Sequence, residues 1–137
     1  PHHHPFVVPR DDERVVVRVR GGLLGHWSVW TSTAVALFDR IRALPDGAAV
    51  PAELLALDSA VTDANAAIYD ARNAFAGCIP GCHEVLRRQG LLAGTWCLDP
   101  AETLSPGQLA EIDRVLALHP DLGDDDFVSA GLDRWLA

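Results

Sequence analysis

The run Gly21-Gly22-Leu23-Leu24-Gly25-His26-Trp27-Ser28-Val29-Trp30, continuing through Thr31 to Leu44, constrains this chain most. It opens as a short apolar segment punctuated by glycine and turns at once into a helical pattern. Trp27, Trp30, Ala34, Leu37, Phe38, Ile41 and Leu44 recur three or four residues apart, so they share one helix face. A buried strand at Leu23-Leu24 feeding an amphipathic helix is one βα unit, and such a strand needs a parallel neighbour on each side. No second βα pattern follows. Residues 21–44 therefore read as the end of a sheet or barrel whose other strands lie outside this chain.

Ahead of this segment, Phe6 to Pro9 and Arg14 to Arg20 flank the polar Arg10-Asp11-Asp12-Glu13. Val15, Val17 and Val19 alternate with Arg14, Val16, Arg18 and Arg20, which predicts a half-buried strand in a β-hairpin. His2-His3-His4 reads as a surface loop or tag residue rather than a defined metal site.

Behind it the pattern is helical. Pro45-Asp46-Gly47 ends the first helix. Pro51 suits the first position of a long second helix, whose seam is Leu54, Leu57, Val61, Ala64, Ile68, Ala71 and Phe75. Gly77 breaks it, and Cys82 to Gln89 reads as a short helix closed by Gly90. Leu91 to Pro100 is extended. Ser105-Pro106-Gly107-Gln108 has the form of a capping box, with a helix to His119-Pro120. Asp124-Asp125-Asp126 begins a last helix, where acids suit the N-terminal dipole. Mostly α is thus the expected class, divided into residues 1–46 (hairpin and last βα unit) and 47–137 (helical region).

Composition narrows the chemistry. The 137 residues carry a net charge of −8, which argues against nucleic acid or an anionic membrane as partner. No apolar run reaches the ~18 residues of a membrane span. All eleven basic residues are Arg, so a mechanism that needs a lysine nucleophile cannot be completed by this chain. Three cysteines, an odd number, read as free thiols of a cytoplasmic protein.

Cys78-Ile79-Pro80-Gly81-Cys82-His83, with Cys97 downstream, holds zinc-type atoms without the spacing of a closed site, so no metal or other cofactor is expected. His26 is better placed. It lies where an apolar strand meets a helix, and Gly25 beside it permits close approach of a ligand. Gly25 and His26 are the candidate substrate-binding residues; helix capping is the plainer role for His26. Thr62, Asn65, Tyr69 and Asn73 form a polar stripe that is either solvated or in contact with this rim.

Residues 21–31, Phe75 to Leu92 and Trp96 to Gln108 resemble the C-terminal part of bacterial proteins of the dihydrodipicolinate synthase / N-acetylneuraminate lyase family. The resemblance covers nearly the whole chain from about Pro5. It implies a fragment of a (β/α)8 barrel, with Leu23–His26 as strand eight, Trp27–Leu44 as helix eight and residues 51–137 as C-terminal helices. The family's reaction is Schiff-base aldol chemistry on a 2-oxo acid. Its lysine and tyrosine stand on strands six and five, upstream of this chain. No catalytic residue transfers, Tyr69 included, and the implied full-length protein is a homo-oligomer. The alternative is a self-standing helical interaction domain without enzymatic activity.

Overall fold

The computed structural model describes residues 4–137. His2 and His3 fall outside them. Two antiparallel strands, β1 (Phe6–Arg10) and β2 (Glu13–Val17), are followed by five helices: α1 (Thr31–Arg42), α2 (Ala52–Ile68), α3 (Cys78–Arg88), α4 (Gln108–Leu118) and α5 (Asp125–Trp135). Short 3-10 turns occupy Gly25–Ser28, Ala71–Asn73 and Pro120–Leu122. No helix among the described residues is long and apolar enough to cross a membrane.

The hairpin forms where its alternation places it, in register Phe6↔Val17 to Arg10↔Glu13 around a turn with Asp11 at φ 54°. Its expected covered face is covered only in part: Val15 and Val19 are half-buried and Val17 is exposed. Val7, Val8 and Val16 are exposed as well, because two strands alone cover little of either side.

The expected strand at Leu23-Leu24 does not form. The only sheet among the described residues is the hairpin, and Leu23 and Leu24 stand 87% and 80% exposed. A lone apolar run has no edge to pair with, so its backbone stays irregular. The first helix also starts later than Trp27. Trp30 leaves helical geometry at φ −129° and ψ 53°, with its indole 1% exposed in the core. Trp27 instead packs edge-on against Phe38, ring centroids 5.6 Å apart.

α2 packs chiefly on α4 and joins α3 and the Gly25–Ser28 turn. Ile68, Ala64, Ile112 and Val115 are wholly buried between them, with Val85 of α3 and Trp30 beside them. The helices thereby close a core without any sheet.

The long helix expected to reach Phe75 stops at Ile68. Asp70 takes a left-handed conformation at φ 57° and turns its carboxylate inward. Its Oδ2 accepts from the Gly77 N–H at 2.9 Å and the Ser105 hydroxyl at 2.5 Å, and its Oδ1 accepts from Asn73 Nδ2 at 2.7 Å. Side-chain bonds of this kind compete with continuing the helix. α3 consequently starts at Cys78 rather than Cys82, with Pro80 within its first turn, where its missing N–H costs nothing.

Gly90 does close α3. With φ 81°, its N–H donates to the Arg87 carbonyl and that of Leu91 to the Leu86 carbonyl, the Schellman pattern. Only half of the capping box at Ser105 forms. Gln108 Oε1 accepts from the Ser105 N–H at 3.0 Å, but the Ser105 hydroxyl goes to Asp70, and α4 begins at Gln108.

α3 comes close against the end of α2 and the head of α4 at Gly81. A Cβ there would lie 1.9 Å from the Ile68 carbonyl oxygen and 2.6 Å from Gln108 Nε2. Gly81→Ala should therefore cost at least the ~1–3 kcal/mol of an overpacked core. Gly90→Ala, which strains only a left-handed cap, should cost about 1–2 kcal/mol. Thermal unfolding of the two variants ranks them; a Gly81→Ala melting shift smaller than that of Gly90→Ala would contradict this packing.

Candidate functional site

The sequence places Gly25 and His26 at a junction, and the tertiary structure brings half of the polar stripe of α2 to it. Gly25 sits at φ 68°, a left-handed conformation open to glycine, and a Cβ there would come within 3.0 Å of Asn65 Nδ2. The Tyr69 hydroxyl donates to the Gly25 carbonyl and shares a hydrogen bond with the Ser28 hydroxyl, which also reaches that carbonyl at 3.0 Å. Tyr69 thus holds the Gly25–Ser28 turn against the end of α2, while the carboxamide of Asn65 lies close to Gly25 with its Oδ1 buried and without a hydrogen-bond partner. Thr62 stays exposed, and Asn73 turns away to Asp70.

His26 is 7% exposed, and its side chain finds no hydrogen-bond partner among the described residues. It lines a cleft of about 330 Å³ between α1 and the first half of α2. Leu37, Phe38, Ile41, Leu54 and Val61 make the cleft apolar; His26, Asp58 and His4 are its polar lining groups. Burial pushes the imidazole below its ordinary value, so it is neutral at pH 7 and able to donate or accept one hydrogen bond.

The other reactive atoms are quiet. Burial, foremost, pushes the Tyr69 phenol well up, so it remains a proton-bearing donor to Gly25. Burial likewise raises Cys78, Cys82 and Cys97, which keeps them thiols rather than nucleophilic thiolates. Cys97 Sγ lies 3.9 Å from His83 Nδ1. No group of three or more His, Cys, Asp or Glu among the described residues is arranged to hold a metal ion.

The sequence reading missed Ser28 as a member of the turn and Asp58 as a cleft residue. Ser28 lies three residues after Gly25, the spacing at which a hydroxyl reaches back to a carbonyl, and that signal was available. Asp58 sits on a helix flank, and only the tertiary structure gathers it and His26 around one cleft.

Family models, curated proteins and solved structures were each compared with the chain, and none matches it.

The depressed His26 value carries a sign. A group whose folded value lies below its unfolded value stabilises fully above the unfolded value, here 6.5. That stabilisation is lost as pH falls, because the unfolded chain takes up the proton first. Melting curves from about pH 8 to about pH 5 on the native chain and His26→Gln should show the native chain losing more of its melting temperature. Parallel losses would place His26 in water rather than in the cleft wall.

Proposed function

We propose that this chain is the C-terminal part of a lyase similar to the dihydrodipicolinate synthase / N-acetylneuraminate lyase family, working by Schiff-base aldol chemistry on a 2-oxo acid. The amine nucleophile comes from polypeptide outside these residues, since the chain contains no Lys. In this reading α1 is the last barrel helix, and α2 to α5 are the helical region that follows the barrel. Gly25 and His26 stand at the carboxyl end of strand eight, on the wall of the substrate pocket.

The observation that carries the proposal is the bare apolar run in front of α1. Leu23 and Leu24, 87% and 80% exposed, are consecutive, and Val7, Val8, Val16 and Val17 of the neighbouring hairpin are exposed as well. Left in water, each leucine forgoes roughly 1.5–3 kcal/mol of burial. Apolar surface this continuous marks a docking face, and barrel strands one and seven are the neighbours a strand eight needs on its two sides. Tyr69 is consistent with a supporting role: its hydroxyl is spent on Gly25 and Ser28 and is no proton relay.

A second reading, a self-standing helical interaction domain without enzymatic activity, is favoured by the closed core. Trp30, Ile68 and Ile112 are 1%, 0% and 0% exposed without any barrel present.

Borohydride trapping with labelled pyruvate separates the two. The native gene product, captured by antibody against this chain, should carry the label on a lysine, in a polypeptide longer than these residues. The isolated 137-residue chain should take no label beyond its N-terminal amine. A native product without lysine label, together with a monomeric isolated chain that melts cooperatively above about 60 °C, would decide for the helical domain.

A further inference from the structure

The apolar stripes of α1 and α2 line one cleft from two sides without closing it. α1 is fastened to the Gly25–Ser28 turn and α2 packs chiefly on α4, while the exposed Arg40–Glu53 ion pair, at 2.9 Å, spans the two helices. The cleft of about 330 Å³ is the space left between them. Leu37 and Ile41 on one side and Leu57 and Val61 on the other stay half-buried, although their spacing of three or four makes them core positions. Such a volume falls at the lower end of the ~300–1,000 Å³ of small-molecule sites, and an apolar space holds water poorly.

His26 gives this apolar space its buried polar group. It is 7% exposed and makes no hydrogen bond through its side chain among the described residues. Neither ring nitrogen is sealed off, since neither is among the fully buried polar atoms that lack a partner. The little surface that His26 keeps therefore includes its nitrogens, and the space it borders is the cleft. Buried polar groups in folded proteins are rarely left unpaired, so an occupant of the cleft has a partner waiting for it. Burial also keeps the imidazole neutral at pH 7, with one nitrogen as donor and the other as acceptor.

We infer that the cleft between α1 and α2 binds a small neutral molecule with an apolar body and one hydroxyl group, the hydroxyl meeting His26. A hydroxyl both donates and accepts from a single atom, so it pairs with the imidazole in either tautomer. A carboxylate or an ammonium group would carry its charge into an apolar space, at a cost that one neutral imidazole does not offset. His4 and Asp58 are exposed and stand at the mouth. One imidazole and one carboxylate there favour neither sign, and the interior decides. The inference rests on neither reading of the whole protein. Both walls of the cleft lie within this chain, whereas the Schiff-base chemistry needs a lysine outside it, so either can fail without the other.

The test is NMR titration of the ¹⁵N-labelled chain with para-propylphenol, heptanol, para-propylbenzoate and para-propylbenzylamine. It follows the His26 ring nitrogens, assigned by their loss in His26→Phe, and the backbone amides of Leu37 and Ile41. At least one hydroxyl compound should shift them saturably, with half-saturation on the order of millimolar or tighter, and the two charged compounds should bind at least about tenfold more weakly. His26→Phe should weaken the hydroxyl compound about tenfold, the size of one buried hydrogen bond left unmade. Toluene, which needs no partner, should bind the native chain and His26→Phe alike. Leu57→Trp, which fills the cleft from a half-buried position, should abolish binding of all of them. No saturable shift from either hydroxyl compound, an equal response to a charged one, an equal loss of toluene in His26→Phe, or unchanged affinity in Leu57→Trp would each overturn the inference.

Discussion

Asp70 and Gln108 form the polar knot on which the helical arrangement depends. Gln108 is 3% exposed, and its Nε2 donates to the carbonyls of Ile68 at 3.2 Å and Gly77 at 2.9 Å. Those carbonyls belong to the end of α2 and the start of α3, so one side chain at the head of α4 ties three helices. Asp70, also 3% exposed, holds the other half. Burial pushes its carboxyl up, but the bonds from Ser105, Asn73 and the Gly77 N–H outweigh it and hold it below its ordinary value. Every partner in such a network matters, because a buried polar group that loses its partner is costlier than the bond itself was worth.

Asp124 acts similarly at the opposite corner. It precedes α5, yet its Oδ2 accepts from the Ser32 N–H in the first turn of α1 at 3.0 Å, and its Oδ1 accepts from Gln89 after α3. A carboxylate there satisfies an orphan donor of α1 and suits the positive end of its dipole. Glu84 shows the same economy within one helix. Its buried carboxylate is gripped by Arg87 and Arg88, foremost by the Arg87 hydrogen bonds, which lower it to about 2. Arg88 continues to Asp113 of α4 at 2.6 Å. The network therefore fastens α3 to α4 as well as neutralising a buried charge.

These clamps leave the residues ahead of the Gly25–Ser28 turn loosely engaged. Arg18, just after the hairpin, is bidentate to Asp46 in the turn after α1, an exposed ion pair that contributes little by itself. Between that pair and the Gly25 turn lies the bare Leu23-Leu24 run. Helical core and apolar N-terminal surface are thus two different physical regimes in one chain, one closed by its own side chains and the other left bare to solvent.

Much of this organisation is written in local pattern. The hairpin follows from alternation around Asp11-Asp12, the five helices from apolar periodicity, and the stop of α3 from Gly90, because each depends on neighbours within a few residues. The turn at Gly25 and His26 ahead of α1 was also legible as a break between an apolar run and a helix, because a glycine there admits a left-handed conformation. What periodicity could not decide is where a helix yields to a distant bond. α2 stops at Ile68 because the Asp70 carboxylate is claimed by Ser105, 35 positions away. Ser105 in turn gives up its capping hydroxyl, and the start of α4 moves to Gln108. The Leu23-Leu24 strand failed for a related reason: a strand is defined by its partner, and local sequence records the tendency to pair without supplying the edge. The sequence by itself determined which segments are apolar on one side and where turns are cheap. Tertiary structure alone decided which polar side chains those segments would bury together, because a hydrogen bond between residues far apart exists only once the chain has closed around it.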